Sequence, residues 1–101
     1  MSTRVPRSVV IGGVRYIVER PTRKELGGPA DIKYEKARIR VARDVAEEAA
    51  AAFYRHELGH GAFYESGAYT ILKRYTTAPD ELEEVLVDTF VPVLCGALGV
   101  K

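Results

Sequence analysis

The chain has 101 residues, enough for one small domain with a single core, and we expect residues 1–101 to form one unit. Its net charge is +1, with 15 basic and 14 acidic residues interspersed, which predicts no nucleic-acid partner. Cys95 is the only cysteine, which excludes an internal disulfide and is typical of a reducing, cytoplasmic compartment. No apolar run has the length of a membrane span or a secretory signal, so we expect no membrane partner.

Two β-rich segments precede the first long helix. Residues 8–20 alternate apolar and polar side chains, and the glycine pair at 12–13 either forms a hairpin turn or bends one strand. Residues 22–30 predict a loop, and residues 31–42 predict a second hairpin that turns near residues 35–36. These patterns predict an α+β fold in which a small antiparallel sheet of three to four strands packs on helices.

Two long helices should follow the sheet. Residues 45–65 predict the first, with Asp44 as its N-cap and Gly67 just beyond its end. Residues 68–77 predict a connection, after which residues 79–97 predict a C-terminal helix that begins at a proline. The expected core stripe of this second helix consists of Leu82, Val85, Leu86, Phe90, Val93, Leu94 and Ala97.

The pentapeptide HELGH at residues 56–60 lies within the first long helix and matches the H-E-x-x-H pattern of zinc hydrolases. Residues four apart share one helix face, so His56 and His60 can reach one metal ion. Glu57 points about 100° around the helix, beside the metal rather than onto it. The alternative is a pair of core histidines satisfied by hydrogen bonds. Gly59 costs a helix about 1 kcal/mol relative to alanine, which the close approach of another segment would offset.

A third metal ligand is needed, because catalytic zinc usually takes three protein ligands and a water. The chain has no further histidine, so this ligand must be a carboxylate or Cys95. We expect Glu84 to bind the metal, and Asp88, one turn later, to accept a hydrogen bond from the far nitrogen of a ligand histidine. Glu81 is the alternative ligand. Glu84 can also be read as an acid that favours the helix dipole, the interpretation preferred for Glu81 and Glu83.

The combination of HELGH with Glu84-x-x-x-Asp88 resembles the gluzincin metallopeptidases. The run EVLVDTFVPVL at residues 84–94 is similar to the second-helix segment of ImmA/IrrE-type metallopeptidases, E-x-x-A-N-x-F-A-A-x-L. Here Val87 and Asp88 replace Ala and Asn. The chain length also resembles short phage-encoded and stand-alone minimal gluzincins. The resemblance covers about residues 31–94 and implies a zincin-like fold, one zinc ion per chain and peptide hydrolysis, without naming a substrate.

The expected activity is that of a zinc metalloendopeptidase acting on a peptide or protein substrate. Zinc-bound water would be the nucleophile, and Glu57 would act as general base and then as general acid. A further donor should stabilise the oxyanion. Tyr69, Arg74 and Tyr75 are candidates by position in the connection, and each has surface packing as its alternative role.

Residues 38–42 are predicted to form an edge strand that binds an extended peptide by strand pairing, with Arg38 and Arg40 in contact with it. The alternative is an ordinary edge strand guarded by these arginines. Two other functions stay open at this point. One is a latent or non-catalytic zinc-binding module that acts through protein–protein contacts, and the other is a metal-free α+β interaction domain.

Overall fold

Four strands and four helices form an α+β fold in a computed structural model, which describes residues 5–98 and side chains up to residue 95. In chain order the elements are β1 (Ser8–Ile11), β2 (Val14–Glu19), α1 (Arg23–Leu26), β3 (Ala30–Lys33), β4 (Arg38–Val41), α2 (Glu47–Ser66), α3 (Ala68–Tyr75) and α4 (Pro79–Leu98). The α+β class and the two long helices are therefore confirmed. The short helices α1 and α3 lie where a loop and a connection were predicted.

The sheet is mixed, with strand order β1-β2-β4-β3. The β1–β2 pair is an antiparallel hairpin around the glycines at 12 and 13, both with positive φ, which settles the open choice between a turn and a bend. The β3–β4 pair is also antiparallel and turns at residues 34–37, as predicted. However, β2 and β4 run parallel, so the expectation of a wholly antiparallel sheet is wrong. The segment that contains α1 and β3 is the crossover that such a parallel pair requires.

Strand β4 lies inside the sheet, between β2 and β3. The prediction that residues 38–42 form an edge strand is therefore wrong, because both sides of β4 are already hydrogen-bonded. The two arginines of this strand contact neighbouring strands instead of a peptide. Arg40 forms a bidentate ion pair with Asp31 on β3, and Arg38 Nε lies 3.7 Å from a carboxylate oxygen of Glu19 on β2. Among the described strands, β1 and β3 are the two at the edges of the sheet.

Helix α2 is the middle layer of the molecule. One side packs on the sheet, where Ala50 and Tyr54 join a core that includes Tyr16 and Ile39. Another side packs against α4, and Gly67 ends the helix in a left-handed conformation at the predicted position. The predicted N-cap is wrong, because the cap is Ala46, and the Asp44 carboxylate instead accepts a hydrogen bond from the backbone N–H of Arg23 at 2.8 Å.

Helix α4 packs mainly against α2 and α3, and much of its apolar surface faces outward. Val85, Phe90 and Val93 of the predicted core stripe are 55%, 63% and 72% exposed. The side chains that α4 buries are instead Glu83, Val87 and Cys95. The predicted core stripe is wrong because the face of α4 that is buried is the face that packs against α2, not one that packs against the sheet. Ala97 was also predicted to lie on this stripe, but its side chain is outside the described residues. Within residues 5–98, no helix combines the length and apolar character needed to cross a membrane.

A buried tyrosine links the sheet to the end of α2. Tyr16 on β2 is completely buried, and its hydroxyl donates a hydrogen bond to Glu65 Oε2 at 2.6 Å. Burial raises the pKa of Tyr16, and the bond to Glu65 raises it further. The folded chain therefore holds this proton more tightly than the unfolded chain does.

Replacing Tyr16 by phenylalanine tests this link through its pH dependence. Because the pKa of Tyr16 is raised above the ordinary value of 10.0, its contribution to stability is complete below that pH and is lost as pH rises towards the raised pKa. We expect the free energy of unfolding, measured in urea, to fall more steeply above about pH 10 in the native protein than in Tyr16→Phe. Parallel pH profiles for the two proteins would contradict this expectation.

Candidate metal centre

Three potential ligands from two helices converge on one point. His56 and His60 are four residues apart on α2, and their Nε2 atoms are 3.2 Å from each other. Glu84 on α4 places Oε1 2.6 Å from His60 Nε2 and 3.1 Å from His56 Nε2. The histidines are half-buried, whereas Glu84 is exposed, so the cluster opens to solvent on the glutamate side.

The spacing of these donors can be compared with that of a zinc site. Zinc ligands at about 2.0–2.1 Å in tetrahedral geometry lie about 3.3 Å from one another. The three separations in this protein run from 2.6 to 3.2 Å, so a bound ion requires the two closest donors, His60 Nε2 and Glu84 Oε1, to move apart by about 0.7 Å and the other pairs by about 0.1–0.2 Å. Two imidazoles and one carboxylate are also a ligand set of catalytic zinc sites, in which the fourth position is left for water.

The other nitrogen of each imidazole is held by a carboxylate from α4. Asp88 Oδ1 lies 3.0 Å from His56 Nδ1, at the position expected for a carboxylate that orients a ligand. Glu83 Oε2 lies 2.5 Å from His60 Nδ1, and the Glu83 side chain is only 10% exposed. When Nδ1–H donates to these carboxylates on both rings, the Nε2 lone pairs are free to bind a metal at the shared centre.

Burial and neighbouring charges shift the acid–base properties of the cluster in two places. Burial lowers the pKa of His60, but its hydrogen bonds with Glu83 and Glu84 outweigh this effect, and the net shift is upward. Burial raises the pKa of Glu57, and the nearby His56 and His60 only partly oppose the rise. A carboxyl group with a raised pKa is better matched to proton transfer near neutral pH than an exposed glutamate is.

Gly59 permits the close contact between α2 and α4 that brings the ligands together. A Cβ atom at this position would lie 2.9 Å from Val91 Cγ2 and 3.1 Å from Val87 Cγ1, both on α4. Valine side chains have little χ1 freedom in a helix, so they cannot turn away easily. The close approach of another segment, expected from a glycine in mid-helix, is thus provided by α4.

A cleft of about 560 Å³ adjoins the cluster on the side of His56 and Glu57. The start of β3, the middle of α2 and the second half of α4 form its walls, and the lining is mostly apolar. A smaller cavity of about 270 Å³ lies at the other end of the cluster, beside Glu83. The candidate metal centre therefore sits between two concave surfaces.

The remaining predicted site residues fall into three groups. Glu81 is exposed and Cys95 is buried, and neither belongs to a metal-binding group among the described residues. Arg38 and Arg40 are engaged within the sheet, as described above. Tyr69 lines the smaller cavity, whereas Arg74 and Tyr75 lie with Lys73 on a separate, shallow part of the surface.

Sequence reasoning missed Glu83, Tyr34 and Tyr64 as components of this region. Tyr34 and Tyr64 stack with ring centroids 4.2 Å apart, and both line the smaller cavity with Glu83. The spacing of His56, His60 and Tyr64, each four residues after the last, was a signal for Tyr64, because such residues share a helix face. No comparable local pattern distinguishes Glu83 from the neighbouring acids of α4.

Comparisons with known proteins identify no relative. No protein-family model, curated protein or solved structure matches the chain. The geometry and chemistry of the described side chains therefore carry the functional inference alone.

Substituting Gly59 by alanine should separate the two helices and weaken metal binding. The new methyl group meets two stiff valines of α4, and in a formed zinc site the metal–ligand distances vary by only about 0.2 Å, so ligands held on helices that are further apart would bind less well. We expect zinc affinity, measured by competition with a chelator, to fall by about tenfold or more.

Gly61→Ala is the matched control for this experiment. Its added Cβ would contact Ile11 Cδ1 and Ile32 Cδ1, which are the ends of flexible side chains on the sheet. We expect this variant to keep zinc affinity within about threefold of the native value even if its stability changes. Equal losses of affinity in Gly59→Ala and Gly61→Ala would contradict the role given to Gly59.

Proposed function

We propose that this protein is a zinc-dependent metalloendopeptidase of the gluzincin type, which hydrolyses peptide bonds. The observation that carries the proposal is the convergence of His56 Nε2, His60 Nε2 and Glu84 Oε1 within 4.8 Å of one another. The carboxylate contacts at both Nδ1 atoms support it further, since metal-ligating histidines usually donate the ring N–H that faces away from the metal to a carboxylate or a carbonyl. A half-buried Glu57 next to this cluster completes the set of residues that the chemistry requires.

Each residue has a defined role in this proposal. His56, His60 and Glu84 would hold the zinc ion, which when bound supplies a Lewis acid that polarises a carbonyl and makes water a better nucleophile. Glu57 takes a proton from the attacking water as the new C–O bond forms. It then returns the proton to the amine nitrogen as the C–N bond breaks. Asp88 and Glu83 keep the imidazoles in the required tautomer and orientation.

The edge of β3 would align the peptide backbone of the substrate by strand pairing. Its outer side has no strand partner within the described sheet, and it ends at Lys33, directly before Tyr34 of the smaller cavity. Ala30, at its start, lines the larger cleft with His56 and Glu57. A peptide paired with β3 would therefore cross the candidate metal centre and place apolar side chains in the larger cleft.

A zinc-stabilised module that acts through protein contacts is the second candidate function. The outward apolar face of α4, which includes Val85, Phe90 and Val93, favours it, because contiguous exposed apolar surface often marks a protein interface. Both candidates require zinc, but only the enzyme requires the proton transfer by Glu57.

Glu57→Gln discriminates between the two candidates. Glutamine preserves the size and much of the hydrogen bonding of the side chain but cannot accept the proton. We expect hydrolysis of an unstructured protein substrate such as casein to fall by about 10²- to 10⁴-fold, with zinc content and thermal stability retained. Glu48→Gln, which removes an exposed carboxylate from the same helix, should retain full activity. Undiminished hydrolysis in Glu57→Gln would exclude the proposed base.

Glu84→Gln tests the third ligand, with Glu81→Gln as its control. Both variants remove one acid from the first half of α4, but only Glu84 lies within reach of both Nε2 atoms. Protein purified without added metal should contain about one zinc ion per chain in the native form and in Glu81→Gln. Glu84→Gln should bind zinc at least about tenfold more weakly by chelator competition. A loss confined to Glu81→Gln would transfer the ligand role to that residue, and zinc-free native protein would exclude the site.

A further inference from the structure

The smaller cavity, which we call the tyrosine pocket, has a composition unlike that of the larger cleft. Its lining consists of three aromatic and two acidic residues: Tyr34, Tyr64, Tyr69, Asp80 and Glu83. None of these five lining residues is basic; Glu83 contacts the His60 imidazole on its far side, and Asp80 accepts a hydrogen bond from the neutral Tyr69 hydroxyl. The pocket therefore combines aromatic surfaces with negative charge, the two features that attract organic cations.

The tyrosine pocket is close enough to the candidate metal centre to contact the same ligand. His60 and Tyr64 are four residues apart on one face of α2, so Tyr64 lies about 6 Å further along the helix axis. Glu83 belongs to both regions, because it lines the pocket and holds His60 Nδ1. An extended peptide advances about 3.3 Å per residue, so a chain crossing the metal centre reaches the pocket within about two residues.

The aromatic rings and carboxylates of the pocket are held in place by contacts with one another. Tyr34 and Tyr64 stack nearly parallel, with 8° between the ring planes. The Tyr69 hydroxyl donates a hydrogen bond to Asp80 Oδ1 at 2.6 Å, and Glu83 is almost fully buried. Because the chain has already fixed these groups, a ligand would lose little binding energy in ordering them.

A cation of the chain itself already lies on one of these rings. Lys73 Nζ is 5.7 Å from the ring centroid of Tyr69, although Lys73 does not line the pocket. Burial raises the pKa of Tyr34 to about 12, with a contribution from the nearby carboxylates of Glu83, Glu57 and Glu84, so its ring is neutral and lies within the negative potential of these groups. A neutral or acidic side chain would gain little from such surroundings, whereas an ammonium or guanidinium group gains both ion pairing and cation–π contact.

We infer that the tyrosine pocket binds the side chain of a lysine or arginine located within two residues of the cleaved bond of the substrate. That this side chain belongs to a cleaved substrate rests on the proposed function. Binding of a basic side chain to the pocket does not depend on that function, because the pocket is formed by residues other than the three candidate metal ligands. The two ideas can therefore fail separately.

Binding is tested on the full chain as purified, by NMR titration with N-acetyl-lysine methylamide. N-acetyl-norleucine methylamide, which has a similar aliphatic chain but no charge, is the matched neutral probe. We expect the lysine probe to shift the ring resonances of Tyr34, Tyr64 and Tyr69 and to bind at least about tenfold more tightly than the norleucine probe. Equal binding of the two probes, or shifts of other residues only, would overturn the inference.

Asp80→Asn and Glu81→Gln form the matched pair of variants. Each replaces one exposed carboxylate at adjacent positions of α4 by the corresponding amide, but only Asp80 lines the pocket. The asparagine can still accept the hydrogen bond from Tyr69, so the change removes charge and leaves the local structure intact. We expect affinity for the lysine probe to fall about fivefold to tenfold in Asp80→Asn and to stay at the native value in Glu81→Gln. Equal affinity in all three proteins would overturn the inference.

Cleavage is tested with a set of ten-residue peptides that differ only in one residue beside a common apolar segment. Lysine, arginine, glutamine or glutamate occupies this position, and mass spectrometry locates and times the cut. We expect the native enzyme to favour lysine and arginine by about tenfold in kcat/KM over glutamine, and Asp80→Asn to lose most of this preference. Cleavage without preference for a basic residue would overturn the inference and leave the proposed function standing. Selective lysine binding without any cleavage would support the pocket and count against the peptidase.

Discussion

The contact between Gly59 and the valines of α4 is the constraint on which the candidate metal centre depends. A helix pair separated by ordinary side chains would hold its axes further apart, beyond the reach of short carboxylate side chains. The absence of a side chain at Gly59 lets Val87 and Val91 rest on the backbone of α2. One turn before Val87, α4 then presents Glu83 and Glu84 to the histidines. The helical cost of the glycine is thus offset by packing that also aligns the ligands.

This alignment concentrates negative charge around two imidazoles. Glu83, Glu84 and Asp88 all contact His56 or His60, so three carboxylates share two imidazole rings. The negative charge of these carboxylates is unfavourable in a partly buried environment unless bound protons or a cation compensate it. A divalent ion on the Nε2 side would balance most of the charge and add binding free energy to a small domain, in which the hydrophobic core alone gives little stability.

Local patterns predicted the features that depend on local geometry. The four-residue spacing of His56 and His60, the end of α2 at Gly67, the start of α4 at Pro79 and the hairpin turn at residues 34–37 all follow from rules that operate within a few residues. The parallel pairing of β2 with β4 and the buried face of α4 depend on which elements meet in space. Glu83 shows the difference well, because its carboxylate looks like surface charge in the sequence and becomes core only when His60 binds it.

The parallel strand pair, unexpected from the sequence, also determines which strand can meet a substrate. Because β4 is enclosed by β2 and β3, the free edge beside the candidate site belongs to β3. This strand has only four residues, with Asp31 engaged by Arg40 and Lys33 exposed, features that discourage uncontrolled pairing with other chains. A short edge of this kind can still pair with a few residues of an extended peptide. The cleft at its start and the tyrosine pocket at its end would then contact side chains on opposite sides of the metal centre, so that selectivity comes from these two surfaces while the strand supplies only alignment.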